Sequence, residues 1–519
     1  MHHKPNSRLL VFSLWCGSVF LTLPVVCAQK AAPAAKAAPL AAAKAQLDKG
    51  KLDAAEEELW KILGTNPSNE QALTMLGVIR GRQQRYPEAE ALFRRVLQIN
   101  PRDAGVARNL AGALLVQDKA DEAVQQYGNA IKLSPQDAGL RIELAQIELG
   151  RGNFGAALSA LDGIPAARFP VDAIPLKAAS LLGSGRGADA RKLIPQTGRS
   201  PAVALALAVV FVKGNEPDAA LQTLALIHPV PKDMAAQVSF LKGRALRQRG
   251  QAGEAMSSFR DATTADPRSA EALMGMAETL SAQNKHAESA AVLQKAREAN
   301  PESLDALRHF IAEAMLAGQN DRALQAAQDL QRKSTELGDR FLVASVMLQQ
   351  KQYLPATHIL EDYIAQRPQD AKAHLGLGIA YLSLLRYPEA RQSLERSLQL
   401  DANLPEAEYQ LGLLTNQEGK RPEAIQHWKR AVELQPGHAQ ALFSLGTVYL
   451  ESGELAEAER AFAGAVASDP ANMRAEYNLA LVQNKLGKSE EAKRHFEHYR
   501  KMQEQEHSEN GNPRSAEPQ

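Results

Sequence analysis

The sequence has almost no cysteine, no excess charge of either sign and few stretches of alternating β-branched residues, and each shortage removes a class of function. Its two cysteines, Cys16 and Cys27, both lie within the first 28 of 519 residues. A chain cut after Ala28 would carry no thiol, so disulfides and thiolate metal sites fall away. Sixty Lys and Arg stand against 59 Asp and Glu, a net charge of +1, and no long stretch is dominated by one sign. The basic footprint that displaces counterions from nucleic acid is missing, and no nucleic-acid partner is expected. Sparse alternation of β-branched residues argues against sheets, and the abundance of Ala and Leu argues for helices.

What remains is enough to fold. Hydrophobic residues make up 45% of the chain and charged residues 23%, which excludes disorder over most of its length. Lys4 and Arg8 precede an apolar run from Leu9 to Val26, and Val26, Cys27 and Ala28 follow as a short-side-chain stretch. This order predicts a signal peptide over residues 1–28, with cleavage after Ala28 and export to the periplasm or cell envelope. A retained membrane anchor is the alternative, since the run is about as long as the shortest spanning helices. A lipid on Cys27 is a third outcome, opposed by Val26 where lipoprotein signals carry a smaller residue. Residues 29–43 are nearly all Ala, Pro and Lys and read as a linker, and 507–519 read as a disordered tail.

Between these ends an internal period dominates. Pro67, Pro101 and Pro135 are 34 residues apart, as are Pro267 and Pro301, and Pro436 and Pro470. Ala55, Ala89, Ala123 and Ala157 keep the same spacing, and Ala390, Ala424, Ala458 and Ala492 keep it again. In the stretch from Ala439 to Asn472, Leu442, Leu445, Val448 and Tyr449 recur at helical spacing and predict a first helix. Gly453 permits a left-handed turn that ends it. A second helix begins near Leu455, with Ala458 small enough to lie against Gly446 and with Phe462 and Ala465 filling the space beyond. Asp469 and Pro470 close the unit, because proline disfavours α geometry in the preceding residue.

These residues resemble the tetratricopeptide-repeat family, helix pairs with a 34-residue period. Leu411 and Gly412, Leu445 and Gly446, Leu479 and Ala480, and Leu76 and Gly77 are each followed by a Glu-Ala pair opening the second helix: Glu423 and Ala424, Glu457 and Ala458, Glu491 and Ala492, Glu88 and Ala89. The resemblance implies an all-α, right-handed superhelical solenoid of about fourteen helix pairs. N-terminal units would occupy 44–162, degenerate units 163–235 and C-terminal units 236–506. In the middle, Gly183, Gly185 and Gly187 with Pro165, Pro170, Pro175 and Pro195 interrupt the spacing. That segment reads either as a joint or as degenerate repeats that still stack, and Gly214, Asp218 and Ala219 restore the turn and helix start.

Chemistry-bearing motifs are weak. The repeats leave no interval large enough for a compact catalytic domain, so no enzyme activity is expected. His495 and His498 lie one helical turn apart, but Glu497 is misplaced for a zinc-protease pattern. Gly376 and Gly378 fall inside a predicted helix and fit close packing rather than a phosphate turn. Neither a cofactor nor a metal is called for.

The resemblance further implies that first helices line a concave groove that takes protein or peptide partners. Near the C-terminus the groove would present Leu375 and Ile379, Tyr409 and Leu413, Phe443 and Thr447, then Tyr477 and Leu481, with Asn484 and Lys485 as polar donors at its end. Tyr409, Phe443 and Tyr477 would form an aromatic ladder for an extended or helical peptide, or only support packing between repeats. The Asn and Lys clamp that family members close on a chaperone's terminal carboxylate is incomplete. The expected role is a non-catalytic protein-binding scaffold of a bacterial cell envelope, assembling or recruiting a complex. An accessory subunit of exopolysaccharide synthesis or export is the alternative.

Overall fold

The computed structural model describes residues 34–198 and 200–510 of the chain, with side chains over 40–198 and 200–505. The expected signal segment, the first residues of the linker and the last nine of the tail lie outside the described residues. Within them the chain forms 28 α-helices in consecutive pairs, the fourteen that the repeat predicts, with short 3₁₀ turns and no strand. The chain divides into two compact units, residues 1–279 and 280–519. Seven pairs belong to the first and six to the second, and the pair Ala270–Ser281 and His286–Ala299 contains the division.

The local chemistry of the repeat explains where helices start and stop. Two residues after Pro67, Pro101, Pro135, Pro301, Pro368 and Pro470 stand Asn69, Asp103, Asp137, Ser303, Asp370 and Asn472, each of which caps the next helix by accepting a backbone N–H from its first turn. The proline ends one pair and the capping residue starts the next. After Pro436 that place is taken by His438, whose Nδ1 accepts from the Ala441 N–H at 3.3 Å. Inside each pair one residue turns left-handed: Gly453 has φ +80°, as the sequence predicts. Between helices Pro201–Lys213 and Pro217–Ala225 of the irregular region the left-handed residue is Asn215 (φ +56°) and not Gly214, which caps the preceding helix with φ −78°.

Packing then joins pair to pair. The periodic alanines Ala55, Ala89, Ala123, Ala390, Ala424 and Ala458 are fully buried, and in several pairs a glycine of the first helix receives a large side chain from the second. Phe93 lies over Gly77, Leu394 over Gly378, Trp428 over Gly412 and Phe462 over Gly446. Gly446 thus makes room for Phe462, two turns beyond the second helix's start, and not for Ala458 alone.

Two segments differ from their composition. Helix Ala34–Asp48 runs through the second half of the stretch read as a linker, because Leu40, Ala43 and Leu47 recur at helical spacing and Ala43 and Leu47 are fully buried. At the other end helix Ser489–Asn510 continues past residue 507. The degenerate middle keeps stacking: one cluster of buried side chains runs from Leu158 through Phe211 to Ala245. Its second helices are short, Gly187–Arg191 and Pro217–Ala225, so that Ile174–Gly183 packs directly on Pro201–Lys213.

Candidate functional site

Tyr409, Phe443 and Tyr477 occupy the same place on the first helices Pro405–Gln417, Ala439–Glu451 and Met473–Lys485. Their surroundings are unlike. The Tyr409 ring faces the His438 imidazole at 5.1 Å between centroids, and His438 is 4% exposed. With Nδ1 occupied by the Ala441 N–H, the ring's other nitrogen carries the proton and points at Glu406 Oε2, 3.4 Å away. Burial alone would raise the Glu406 carboxyl, but His438 and Gln410 hold it below its ordinary value. Burial, with the Glu406 charge adding to it, pushes the Tyr409 hydroxyl up.

Phe443 is closed in by two neighbours, Phe462 edge-on at 5.7 Å and the Arg474 guanidinium 5.3 Å over its ring. Tyr477 meets Phe496 at 5.8 Å and Tyr499 at 5.3 Å, both from helix Ser489–Asn510, and remains 42% exposed. The expected ladder is therefore filled between its first rungs: each of Tyr409 and Phe443 is covered by a residue at the start of the following pair. Tyr477 keeps an open flank.

The remaining expected residues fall into two groups. Leu375, Ile379, Leu413 and Leu481 are half-buried, with Leu375 and Leu413 packed against core clusters. Thr447 gives its hydroxyl to the Phe443 carbonyl at 2.9 Å, which withdraws it as a donor for a ligand. Asn484 and Lys485 are exposed, and Asn484 borders an open cavity with residues of the last helix. Gly376 and Gly378 lie against Leu348 and Leu394, as close packing requires.

The two histidines set aside at the sequence level have a partner that the spacing within their own helix does not reveal. Glu476, 2% exposed, accepts from His495 Nδ1 and His498 Nδ1, each at 2.8 Å and both on Oε1. Its counterpart two units earlier is Glu408, which accepts from His427 Nδ1 at 2.7 Å. Both glutamates precede their histidine by 19 residues, and that repeated spacing is the signal that finds them. These are ties between the two helices of a pair. Among the described residues no group of three or more His, Cys, Asp or Glu side chains is placed to hold a metal ion, and no helix is long and apolar enough to cross a membrane.

Tetratricopeptide-repeat descriptions match residues 40–104, 205–270, 344–405, 409–472 and 445–500, and a second description of the same repeat matches 82–127, 117–179 and 246–314. The chain belongs to the tetratricopeptide-repeat family. No curated protein matches it. Among solved structures it is similar to the Cut9–Hcn1 hetero-tetramer of APC/C, with 17% identity over 85% of this chain and 95% of that one and a TM-score of 0.39. Yeast Tom70 is 13% identical over 82% of this chain and 95% of its own, with a TM-score of 0.33. YrrB, described as a TPR protein with an unusual peptide-binding site, is 19% identical over 36% of this chain and 98% of its own, with a TM-score of 0.31. TM-scores this low add nothing to the assignment, which rests on the repeat. A tetratricopeptide-repeat array is a protein-interaction scaffold, and protein or peptide partners are the class of ligand that this fold takes.

Proposed function

We propose that this tetratricopeptide-repeat chain is a non-catalytic scaffold of a bacterial cell envelope that holds a protein partner on the surface formed by the first helices of its last units. The observation that carries this reading is the exposure of Tyr477 beside Tyr499, with Leu481 half-buried one turn along its helix and Lys485 exposed two turns along. A tyrosine anchored by aromatic neighbours presents large contact area at small entropic cost, the property that makes this residue a frequent anchor at interfaces. Tyr409 and Phe443 are covered by His438 and Arg474 and leave no row of solvent-facing aromatics for a sugar to stack upon, so exopolysaccharide binding is the weaker reading. The envelope location is supported by Lys4 and Arg8 ahead of the apolar run from Leu9 to Val26.

A photo-crosslinking residue at position 477, in the exporting cell, tests the site. Adducts are expected from 477 and from 481, and none from 463, an exposed position on the second helix Leu455–Ser468. Equal adducts from 463 overturn the site. Terminal sequencing of the envelope protein tests the location: a first residue of Gln29 is expected, and an uncut chain or a lipidated Cys27 contradicts the cleavage.

A further inference from the structure

In several units the residue that follows the buried alanine of a second helix is charged and pairs with the next unit, whereas after Ala123, Ala157 and Ala424 it is the apolar Val124, Leu158 or Ile425. Ala89 is followed by Glu90, Ala390 by Arg391 and Ala458 by Glu459. Lys119 Nζ donates to Glu90 at 2.9 Å, Arg391 Nη2 to Glu418 at 2.6 Å and Lys488 Nζ to Glu459 at 2.6 Å. In each case the partner stands in the turn of the pair stacked next. One turn further along stands a large apolar side chain, and in units that another pair follows it is closed in: Leu394 and Phe462 are fully buried and Trp428 is 1% exposed.

In the last pair this register places Lys493 after the buried Ala492, and Phe496 one turn on. Lys493 is exposed and has no ion-pair partner among the described residues, and Phe496 is only half-buried. An open cavity of about 370 Å³ lies over them, bordered by Asn484, Glu497 and Arg500. Arg500 is engaged by Glu504 at 3.6 Å, which leaves Lys493 as the unanswered cation. In the preceding units the corresponding space is filled by a first helix of 13 residues, Ala439–Glu451 or Met473–Lys485.

We propose that this end face receives a helix of a partner protein, apolar toward Phe496 and acidic near the end that meets Lys493, docked as another first helix would be. Charge complementarity selects the partner. The position of Lys493 is that of Arg391, which takes a glutamate from the helix above it. Charge also opposes a second copy stacking its own first pair here, because the corresponding turn of that pair holds Lys49 and Lys51, of the same sign as Lys493.

The probe is a synthetic, fluorescently labelled peptide of residues 405–420, which within the chain covers Arg391 with Glu418. Titrated with the full chain, it is expected to bind saturably. Glu418→Lys in the peptide, or Lys493→Glu in the protein, should each weaken binding about five-fold, and the two changes together should restore it. The Lys493→Glu protein should keep its photo-crosslinks from positions 477 and 481, which separates this face from the site of the proposed function. Absence of saturable binding overturns the proposal, as does an affinity indifferent to both charge swaps. A self-associated chain dispersed by Lys493→Glu, without peptide present, would assign the face to a second copy and overturn it too.

Discussion

Phe462 lies so close over Gly446 that a β-carbon at residue 446 would stand 2.7 Å from the ring's Cδ1. The ring is fully buried and its edge meets Phe443, so it has no free direction in which to yield. Gly446→Ala therefore sets a helix-propensity gain of about 1 kcal/mol against an overpacking cost of about 1–3 kcal/mol. Net destabilisation of up to about 2 kcal/mol is expected, read from chemical denaturation of the full chain, and an increase in stability would mean that the helices part without cost.

Ala458→Arg acts on the same pair more severely. Ala458 is fully buried, and a guanidinium there adds desolvation to overpacking. Hydrogen-exchange protection should fall in 439–505 and stay near wild type in 70–133, because a solenoid passes damage mainly to neighbours. Uniform loss of protection along the chain contradicts nearest-neighbour stability.

Glu56 ties the first pair to the second. Its carboxylate accepts from both terminal nitrogens of Arg80, at 2.6 and 2.7 Å, and Arg80 is 6% exposed. The Arg80 hydrogen bond, opposed by burial and aided by Trp60, brings the Glu56 carboxyl from 4.5 down to about 2. A depressed carboxyl stabilises the fold above its unfolded value and loses that contribution as pH falls from about 4.5 toward 2. Glu56→Gln should cost roughly 1–3 kcal/mol at neutral pH, a cost that shrinks as pH falls from about 4.5 and is lost below about 2. Stability against pH for the two proteins checks this, and parallel curves across that window would refute it.

The three aromatic rungs should separate by effect. Tyr477→Ala is expected to reduce crosslinked partner with little change in thermal melting, since that ring is 42% exposed. Tyr409→Ala and Phe443→Ala remove contacts to His438 and to Arg474 and Phe462, and should lower the melting temperature in proportion to lost packing. Arg460→Ala is the surface control, since Arg460 is 76% exposed and pairs only within its own helix turn, whereas the neighbouring Glu459 receives Lys488 from the next pair. An unaltered crosslinked yield from a folded Tyr477→Ala protein removes this residue from the site.

Much of the fold is legible along the chain because its determinants are local. Pro67 and Asn69, or Pro470 and Asn472, end one helix and cap the next within three residues, and Gly453 turns the backbone by its own freedom. Helix Ala34–Asp48 escaped the compositional reading because Ala and Pro content says nothing of the helix Leu52–Thr65 against which Ala43 and Leu47 are buried. Gly214 is the expected turn residue, but Asn215, whose short polar side chain tolerates the left-handed conformation, stands one step nearer the next helix and takes it.

The candidate site divides along the same line. Spacing alone puts Tyr409, Phe443 and Tyr477 at one place on successive helices, since a 34-residue period returns each to the same face. What covers each ring is decided by residues distant in sequence: for Tyr409 and Phe443 by the following pair, through His438 at the end of a loop and Arg474 in a first turn, and for Tyr477 by Phe496 and Tyr499 on the second helix of its own pair. The periodicity therefore determined by itself the helix pairs and the alignment of their rings, because turn, cap and helix face are properties of neighbouring residues. Only the tertiary structure decided that Tyr477 stays open, that Glu476 lies buried against two histidines and that Lys493 faces no partner within the described chain, because exposure depends on the atoms that the next pair brings into contact.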